Sequence, residues 1–344
     1  MFKIFKPNDQ AKTVSKKSNQ IKASPSANNT NKQLVNQPKY DFKVGIVGCG
    51  NVGMTTAYAL LLKGIPTELV LISRSKDRIS GEDLDLEHGM PFMERANVIG
   101  TDNYAQLQHS DLVIVSAGAA QKPGESRLDL TAKNLAITSE IVPQILENAP
   151  DAVILMVSNP VDVLTYHANQ ISQVRPGQIF GSGTLLDTAR FRFHLSEYLN
   201  LNPRSIHAYV LGEHGDTSFP VLESATVGGQ PLMSLSGFSY DKAISAYEKA
   251  REAAYRIIQS KGATYYGIAT VLAQIAQAIK RDSRSVMPLS VPLDNYYNQS
   301  GVSLSVPCII GRRGVERTLE IAFSEEEKKK FVHSAEIVRQ AYQS

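Results

Sequence analysis

The sequence predicts an α/β protein, with a doubly wound parallel sheet in its first half and an α+β domain in its second half. Helical segments near residues 54–63, 76–88 and 130–148 alternate with short apolar segments rich in Val and Ile. Such segments are typical of strands buried on both faces of a parallel sheet. The predicted strands are KVGIV (43–47), ELVLI (68–72), DLVIVSAG (111–118) and AVILMVSNP (152–160). Strands that alternate with helices indicate the doubly wound arrangement.

The second half of the chain has a less regular pattern, which predicts a mixed α+β domain packed against the first. Helices are predicted near 184–199, 240–260, 264–281 and 324–342, and strands near 205–211, 218–227, 287–293 and 303–310. We therefore expect a first domain of residues 41–182 and a second of residues 183–344, preceded by a tail of residues 1–40.

The tail differs from the rest of the chain in charge and composition. Residues 1–40 contain eight lysines, no arginine and one acidic residue, Asp9, whereas the rest of the chain has a formal charge of −4. The tail is rich in Lys, Ser, Asn and Gln, and such a composition does not bury enough apolar surface to fold. We expect it to be disordered. A tether to a surface or to nucleic acid and an organelle transit peptide are the alternatives, and the absence of arginine argues against the second.

The composition indicates a cytoplasmic protein. No apolar segment approaches the ~18 residues of a membrane span, and the N-terminus lacks the apolar segment of a secretory signal. Cys49 and Cys308 lie far apart and outside metal-type spacings, so we expect two buried, reduced thiols. We therefore expect no membrane partner, no nucleic-acid partner and no metal.

A glycine-rich turn follows the first predicted strand. In VGIVGCGNVG the glycines Gly48, Gly50 and Gly53 have G-x-G-x-x-G spacing, directly after a strand and before a helix. The first glycine turns the chain, the second lets the backbone approach a pyrophosphate, and the third lets helix and strand pack closely. The start of the helix, including Asn51 and Val52, supplies free N–H groups. The sequence therefore predicts dinucleotide binding.

The end of the second strand raises the question of which dinucleotide is bound. A carboxylate about 20 residues after the glycines usually binds the adenosine ribose and repels a 2′-phosphate. Ser73 stands at that position, followed by Arg74 and, one turn later, Arg78. One hypothesis is that the protein tolerates or prefers NADP(H). The alternative is that Ser73 still bonds the ribose and NAD remains the cofactor.

A histidine between glycines is the candidate for proton transfer. His214 lies in LGEHGDT, among small and polar neighbours at a strand end, and histidine exchanges a proton near neutral pH. Asp187 would fix its tautomer. Arg190 lies three residues later on the same helical face and can bind a carboxylate through two parallel bonds. The alternative for Asp187 and Arg190 is a local salt bridge.

The segment SAGAAQKPGESRLDL predicts a mobile lid between a strand and a helix. Gly118, Pro123 and Gly124 would let it close over a substrate and exclude water. Arg127, at its far end, would then polarise a carbonyl.

The chain resembles the lactate/malate dehydrogenase family, in particular its L-lactate branch, over residues 42–342. The resemblance implies a Rossmann-type doubly wound sheet plus a C-terminal α+β catalytic domain. It also implies reversible hydride transfer between NAD and pyruvate or (S)-lactate in glycolysis and fermentation, and a homotetramer. The motifs that carry the resemblance are GCGNVG, AGAAQKPGESRLDL, VSNPVD, GSGTLLDTARFR, GEHGDT, KGATYYG and LSVPCIIGRRGVER.

The resemblance also assigns roles to residues. His214 would exchange the proton and be oriented by Asp187, Arg190 would bind the carboxylate, and Arg127 and Asn159 would act on the reacting carbonyl. Asp162 and Thr264 would complete the substrate pocket. Besides the glycine turn and the segment from Ser73 to Arg78, the implied cofactor-binding residues are Tyr104, Gly118, Ala119, Val157, Ser158, Asn159 and Ser182.

Gln121 favours pyruvate over oxaloacetate as the substrate. Malate enzymes of the family have arginine at this lid position because their substrate has a second carboxylate. A neutral amide offers that carboxylate no partner, and burying it unpaired is costly. A malate dehydrogenase, an NADP-preferring 2-hydroxy acid dehydrogenase and a non-catalytic protein that keeps the fold are the alternatives.

Arg192 and His207 match positions at which bacterial members of the family bind fructose 1,6-bisphosphate between subunits. Two cationic groups that meet two more across a two-fold axis would make a strong phosphate site. The alternative is that both are ordinary interface residues.

Overall fold

The computed structural model describes residues 42–119 and 127–343. The predicted disordered tail lies outside these residues, as does Gln121 in the predicted lid. Of Arg127, only the backbone is described. None of the described helices is long and apolar enough to cross a membrane.

The described chain forms eight α-helices and twelve strands. The helices are α1 (Asn51–Leu62), α2 (Lys76–Gly89), α3 (Arg127–Asn148), α4 (Val161–Gln170), α5 (Leu185–Leu199), α6 (Tyr240–Lys261), α7 (Tyr266–Lys280) and α8 (Glu325–Gln343). The strands are β1 (Lys43–Val47), β2 (Glu68–Ile72), β3 (Asn97–Thr101), β4 (Leu112–Val115), β5 (Val153–Met156), β6 (Ile179–Gly181), β7 (Ile206–Leu211), β8 (Phe219–Val227), β9 (Gln230–Pro231), β10 (Ser285–Pro292), β11 (Ser303–Gly311) and β12 (Gly314–Thr318).

Six parallel strands form the main part of a nine-stranded sheet. Their order is β3-β2-β1-β4-β5-β6, the order of a dinucleotide-binding sheet, so the predicted fold class is confirmed. On the other side of β6 the antiparallel strands β10, β11 and β12 extend the sheet, with Ser290 opposite Gly181. The sheet therefore continues past residue 182, the expected domain boundary. Strands β7, β8 and β9 form a separate antiparallel sheet.

Two apolar layers cover the parallel sheet, one on each face. Leu60 of α1 and Leu272 of α7 belong to one buried cluster, and Val142 of α3 and Leu164 of α4 belong to the other. A sheet covered on both faces keeps its polar groups at the strand ends. Ligands of such sheets bind beyond the carboxyl ends of the strands, at the point where the strand order reverses, here between β1 and β4.

Several elements were not predicted, and each lacks a strong local pattern. Strands β6 and β9 have three and two residues, and β3 (NVIGT) has a single buried side chain. The ten residues of α4 follow Pro160 directly after a predicted strand, and β12 is a short edge strand. Helices α1 and α3 each begin three residues before their predicted starts, at Asn51 and Arg127.

Candidate active site

The glycine-rich turn leaves open space at its second glycine. A Cβ atom on Gly48, where φ is +102°, would lie 2.3 Å from the backbone nitrogen of Ala117, and one on Gly53 would lie 2.1 Å from the carbonyl oxygen of Gly48. A Cβ atom on Gly50 would have no heavy atom of the described chain within 4 Å. The first and third glycines are thus required by packing, whereas the second leaves room for a pyrophosphate.

The N-terminus of α1 points donors at the same space. Gly50 is the N-cap residue and provides no side-chain cap. The first intrahelical bond runs from the N–H of Met54 to the carbonyl of Gly50 (2.9 Å), so the N–H groups of Asn51, Val52 and Gly53 precede the helical ladder. A pyrophosphate fits this arrangement, because orphan N–H groups and the positive end of the helix dipole favour anions.

At the end of β2, the predicted basic segment is mostly engaged in local contacts. The hydroxyl of Ser73 accepts a hydrogen bond from the N–H of Ser75 (3.3 Å). Lys76 pairs with Asp102 (3.0 Å) and Arg78 with Glu82 (3.4 Å). Arg74 is exposed and has no ion-pair partner among the described residues. Arg74, rather than Arg78, is thus the cation available to a ligand here.

The segments that follow β1, β4 and β5 are bonded to one another. Ser116 donates to the carbonyl of Gly48 (2.7 Å), and Ser158 donates to the carbonyl of Ala117 (2.6 Å). A Cβ atom on Gly118 would lie 3.2 Å from the side chain of Ser158. These bonds hold three predicted cofactor-binding segments at one edge of the sheet.

Asn134 of α3 joins two of these segments and is not among the predicted site residues. Its Oδ1 accepts from the N–H of Ala119, and its Nδ2 donates to the carbonyl of Asn159, both at 2.7 Å. The side chain is buried, as are those of Thr131 and Thr138 on the same helix. Polar residues at this helical spacing on a buried face were the signal in the sequence.

Three other predicted cofactor residues also lie near strand ends. The N–H of Val157 donates to Val115 and that of Ser182 to Met156, both at 2.9 Å. Tyr104 is half-buried after β3. Burial, together with the charge of Glu140 and despite that of Arg74, raises the pKa of the Tyr104 hydroxyl to about 12.

His214 and Asp187 form a hydrogen-bonded pair. Nδ1 of His214, three residues after β7, lies 2.7 Å from Oδ2 of Asp187 in the first turn of α5. Nη1 of Arg190 donates to the other oxygen of Asp187 at 3.1 Å. The three residues are therefore brought together as predicted, and both the orienting contact and the local salt bridge exist.

The charges of this cluster determine its protonation. Burial alone would lower the pKa of His214, but the charge and hydrogen bond of Asp187 outweigh burial and raise it to about 9. For Asp187, burial favours the neutral acid, yet His214 and Arg190 lower its pKa below the usual value. At neutral pH the pair is therefore an imidazolium and a carboxylate.

Asp162, at the start of α4, holds the backbone of the histidine. Its Oδ2 accepts the N–H of His214 and its Oδ1 accepts the hydroxyl of Ser290, both at 2.6 Å. The N–H of the preceding residue, Glu213, donates to the hydroxyl of Ser334 in α8 at 2.6 Å. The position of the histidine thus depends on three elements distant in sequence, α4, β10 and α8.

A cavity of about 500 Å³ opens at the histidine. The side chain of His214 is 29% exposed and lines it together with Asn159, Asp162 and Asp187. Leu128 of α3 and apolar side chains of α6 and α8 form the rest of the wall. Apolar side chains thus make up most of the wall.

Two predicted substrate residues are not part of this wall. Among the described residues that line the cavity, Arg190 and Thr264 are absent. Arg190 is 13% exposed and its guanidinium lies against Asp187, whereas Thr264 is half-buried between α6 and α7. In the described part of the chain, no group of His, Cys, Asp and Glu side chains could hold a metal ion.

The two predicted regulatory residues lie on neighbouring elements. Arg192 of α5 donates through Nε to the carbonyl of Ala208 (2.8 Å), and its guanidinium carbon lies 5.2 Å from the centre of the Tyr209 ring. His207, the residue before Ala208 on β7, is exposed. The side chain of Arg192 is thus half-buried and hydrogen-bonded, whereas that of His207 is exposed.

Two family models cover nearly all of the described chain. Residues 42–181 match the lactate/malate dehydrogenase NAD binding domain, and residues 184–343 match the alpha/beta C-terminal domain of the same family. The chain belongs to the lactate/malate dehydrogenase family.

Relatives within this family are similar over their whole length. The chain is 43% identical to an L-lactate dehydrogenase of Thermoanaerobacterium saccharolyticum, over 86% of this chain and 96% of that protein. It is 44% identical to one of Synechococcus, over 88% and 99%. Among solved structures, the minor L-lactate dehydrogenase of Enterococcus mundtii, in its ligand-bound form, superposes with a TM-score of 0.85 at 36% identity, over 89% of this chain and 98% of that one. A lactate dehydrogenase from a deep-sea metagenome library of the Medee basin gives a TM-score of 0.84 at 37% identity, over 88% and 98%.

Proposed function

We propose that this protein is an NAD-dependent L-lactate dehydrogenase, which reduces pyruvate to (S)-lactate and catalyses the reverse reaction. The hydrogen bond of 2.7 Å between His214 and Asp187, at the wall of a cavity that Asn159 also lines, carries the proposal. The relatives are L-lactate dehydrogenases, which disfavours the malate alternative and a non-catalytic role.

Different residues of the chain perform the separate tasks of the proposed reaction. The glycine turn and the N-terminus of α1 would hold NAD, which would supply or accept the hydride. His214, protonated at neutral pH, donates its proton to the oxygen of the keto group. Arg127 and Asn159 stabilise the charge that develops on this oxygen, and Arg190 binds the substrate carboxylate. Gln121 and Thr264 complete the predicted pocket.

The exposed Arg74 supports a finer proposal about the cofactor. Ser73 has no negative charge to repel a 2′-phosphate, and Arg74 lacks an ion-pair partner among the described residues. We propose that the enzyme uses NAD and also accepts NADP. Since a surface charge pair contributes only about 1 kcal/mol or less, the loss of repulsion matters as much as the arginine.

Oligomerisation and regulation are part of the same proposal. Leu62 on α1, Leu84 on α2 and Phe92 after α2 are exposed, Phe92 by 92%, and exposed apolar side chains of this size favour a subunit interface. We propose a homotetramer that binds fructose 1,6-bisphosphate at Arg192 and His207.

We further propose that the enzyme acts in the cytoplasm, in glycolysis and pyruvate fermentation, with residues 41–182 as its dinucleotide domain and residues 183–344 as its catalytic domain. Cys49 and Cys308 are buried, free thiols whose pKa is raised by burial to about 12. Thiols of this kind are unreactive, which fits a reducing compartment.

Steady-state rates test the proposal directly. Pyruvate and oxaloacetate are each supplied with NADH and with NADPH, to the full-length protein. We expect pyruvate to be the better substrate and NADH to be used. No turnover of pyruvate with either cofactor would refute the proposed activity, and a preference for NADH of about a hundredfold or more would refute the use of NADP.

A further inference from the structure

The carboxylate of Asp162 is buried and hydrogen-bonded to other groups of the protein. Its exposed fraction is 2%, and both of its oxygens accept short hydrogen bonds, one from the N–H of His214 and one from the hydroxyl of Ser290. Ser290 lies on β10 and is fully buried. A substrate at the imidazole would therefore meet a carboxylate whose orientation is already fixed.

The charge of Asp162 also acts on the imidazole. The charged groups that act on His214 are Asp187 and Arg190 from α5 and Asp162 from α4. Glu213, on the loop of the histidine, acts on Asp162, and the loop residue Asp216 and Arg251 on α6 line the same cavity. Asp162 ranks after Asp187 among the groups that raise the pKa of His214, whereas Arg190 lowers it. Burial raises the pKa of Asp162 itself to about 6, although the bonds from Ser290 and His214 oppose this rise, so the carboxylate is ionised at neutral pH.

We propose that Asp162 is a positioning residue for the proposed reaction, rather than a substrate ligand: it fixes the backbone of His214 through the N–H bond and, as a second buried anion beside Asp187, favours the imidazolium. The inference rests on the proposed function. Two carboxylates on different helices would then share the task of keeping the proton donor charged, Asp187 through the ring and Asp162 through the backbone and its field.

The substitution Asp162→Asn removes the charge of the side chain but keeps its shape. The amide oxygen still accepts the N–H of His214, and the amide N–H₂ still meets the hydroxyl of Ser290, but the negative charge is lost. The alkaline limb of the pH profile, over which kcat/KM for pyruvate falls, should move to lower pH by about one unit. The reason is that a nearby opposite charge shifts a pKa by roughly 1–3 units. An alkaline limb at the wild-type position would overturn the inference.

Two further variants distinguish this effect from general damage. Ser290→Ala removes one bond of Asp162 and so raises its pKa, but the carboxylate stays ionised at alkaline pH. Therefore kcat/KM should fall by about fivefold, with the alkaline limb unmoved. Wild-type activity in Ser290→Ala would contradict the positioning role, and this variant remains informative if Asp162→Asn does not fold. Asp83→Asn is the matched control, because Asp83 accepts a backbone N–H from Gly100 (3.0 Å) between α2 and β3, away from the histidine, and should keep the wild-type pH profile.

A titration of the imidazole tests the inference without turnover. The ¹⁵N NMR signal of His214, assigned by its loss in His214→Gln, should titrate at a lower pH in Asp162→Asn than in the wild type. This readout separates the two proposals: a wild-type protein that fails to reduce pyruvate refutes the function, whereas an unshifted titration refutes the role of Asp162.

Discussion

Nδ1 of His214 lies 2.7 Å from Oδ2 of Asp187, and this contact joins the loop after β7 to the first turn of α5. The second oxygen of Asp187 accepts from Arg190 at 3.1 Å. One carboxylate thus orients the imidazole of the proposed proton donor and is held in turn by the residue proposed to bind the substrate acid.

The pH dependence of catalysis should follow the pKa of His214. Reduction of pyruvate needs the imidazolium, so kcat/KM should stay level near neutral pH and fall as the pH rises through about 9. Oxidation of lactate needs the neutral ring and should rise over the same range. Asp187→Asn removes the main stabilising charge, and because burial then dominates, the alkaline limb of reduction should move below neutral pH.

The control for this prediction is His214→Gln, which has no titrating group at the site. Its rate should fall by about 10²–10⁴, the usual contribution of general acid–base catalysis, and the limb should disappear. A limb near pH 9 that persists in this variant would assign the titration to another residue.

Local patterns predicted the elements that bury continuous apolar surface, and failed where contacts are distant. β4 and β5 are apolar throughout, and β1 and β2 have a charged residue only at their first position, so their sequences identify them. The bond from His214 to Asp162 spans 52 residues and that from Glu213 to Ser334 spans 121. A lone aspartate or serine in a helix carries no local sign of such a partner, so its role follows only from the fold.

Replacing a glycine of the turn by alanine should have different effects on stability at Gly50 and at Gly53. Gly50 has φ −84° and ψ −166°, which alanine also adopts, and its Cβ would meet open space. Gly50→Ala should therefore change the free energy of unfolding by less than about 0.5 kcal/mol. The added methyl would occupy the approach of the pyrophosphate, so the Kd for NADH should rise about tenfold or more.

Gly53→Ala is the matched comparison. Its Cβ would lie 2.1 Å from the carbonyl oxygen of Gly48, so helix or turn must shift, at a cost of about 1–3 kcal/mol in stability. Chemical denaturation and fluorescence titration with NADH measure both quantities. If Gly50→Ala destabilised the protein as much as Gly53→Ala, the conclusion that the space at Gly50 is open would be wrong.

Asn134→Ala should weaken both stability and substrate turnover. The substitution leaves the N–H of Ala119 and the carbonyl of Asn159 without their partner, and each unsatisfied group costs about 1–3 kcal/mol. Because Asn159 lines the cavity, kcat/KM should also fall. Asn148→Ala, which removes a bond from the same helix to the carbonyl of Gln144, is the control and should lose stability only.

Gln121→Arg should shift the substrate preference towards oxaloacetate. Gln121 lies outside the described residues, so this prediction follows from the sequence resemblance and from charge: an arginine would pair with the second carboxylate, which a neutral amide leaves unpaired. The ratio of kcat/KM values for oxaloacetate and pyruvate measures the shift. Gln121→Met, which adds no cation, should not raise that ratio, and an unchanged ratio in Gln121→Arg would refute the role of this residue.

Fructose 1,6-bisphosphate should lower the KM for pyruvate. His207 is exposed on β7, where a phosphate can reach it. His207→Gln is the cleaner variant, because Arg192 is bonded to Ala208 and packs on Tyr209, so replacing Arg192 would also disturb the fold. His194→Gln, on α5 and paired with Glu197, serves as the control and should leave activation intact. If His207→Gln were activated as strongly as the wild type, the phosphate would bind elsewhere, and Arg192 and His207 would be ordinary structural residues.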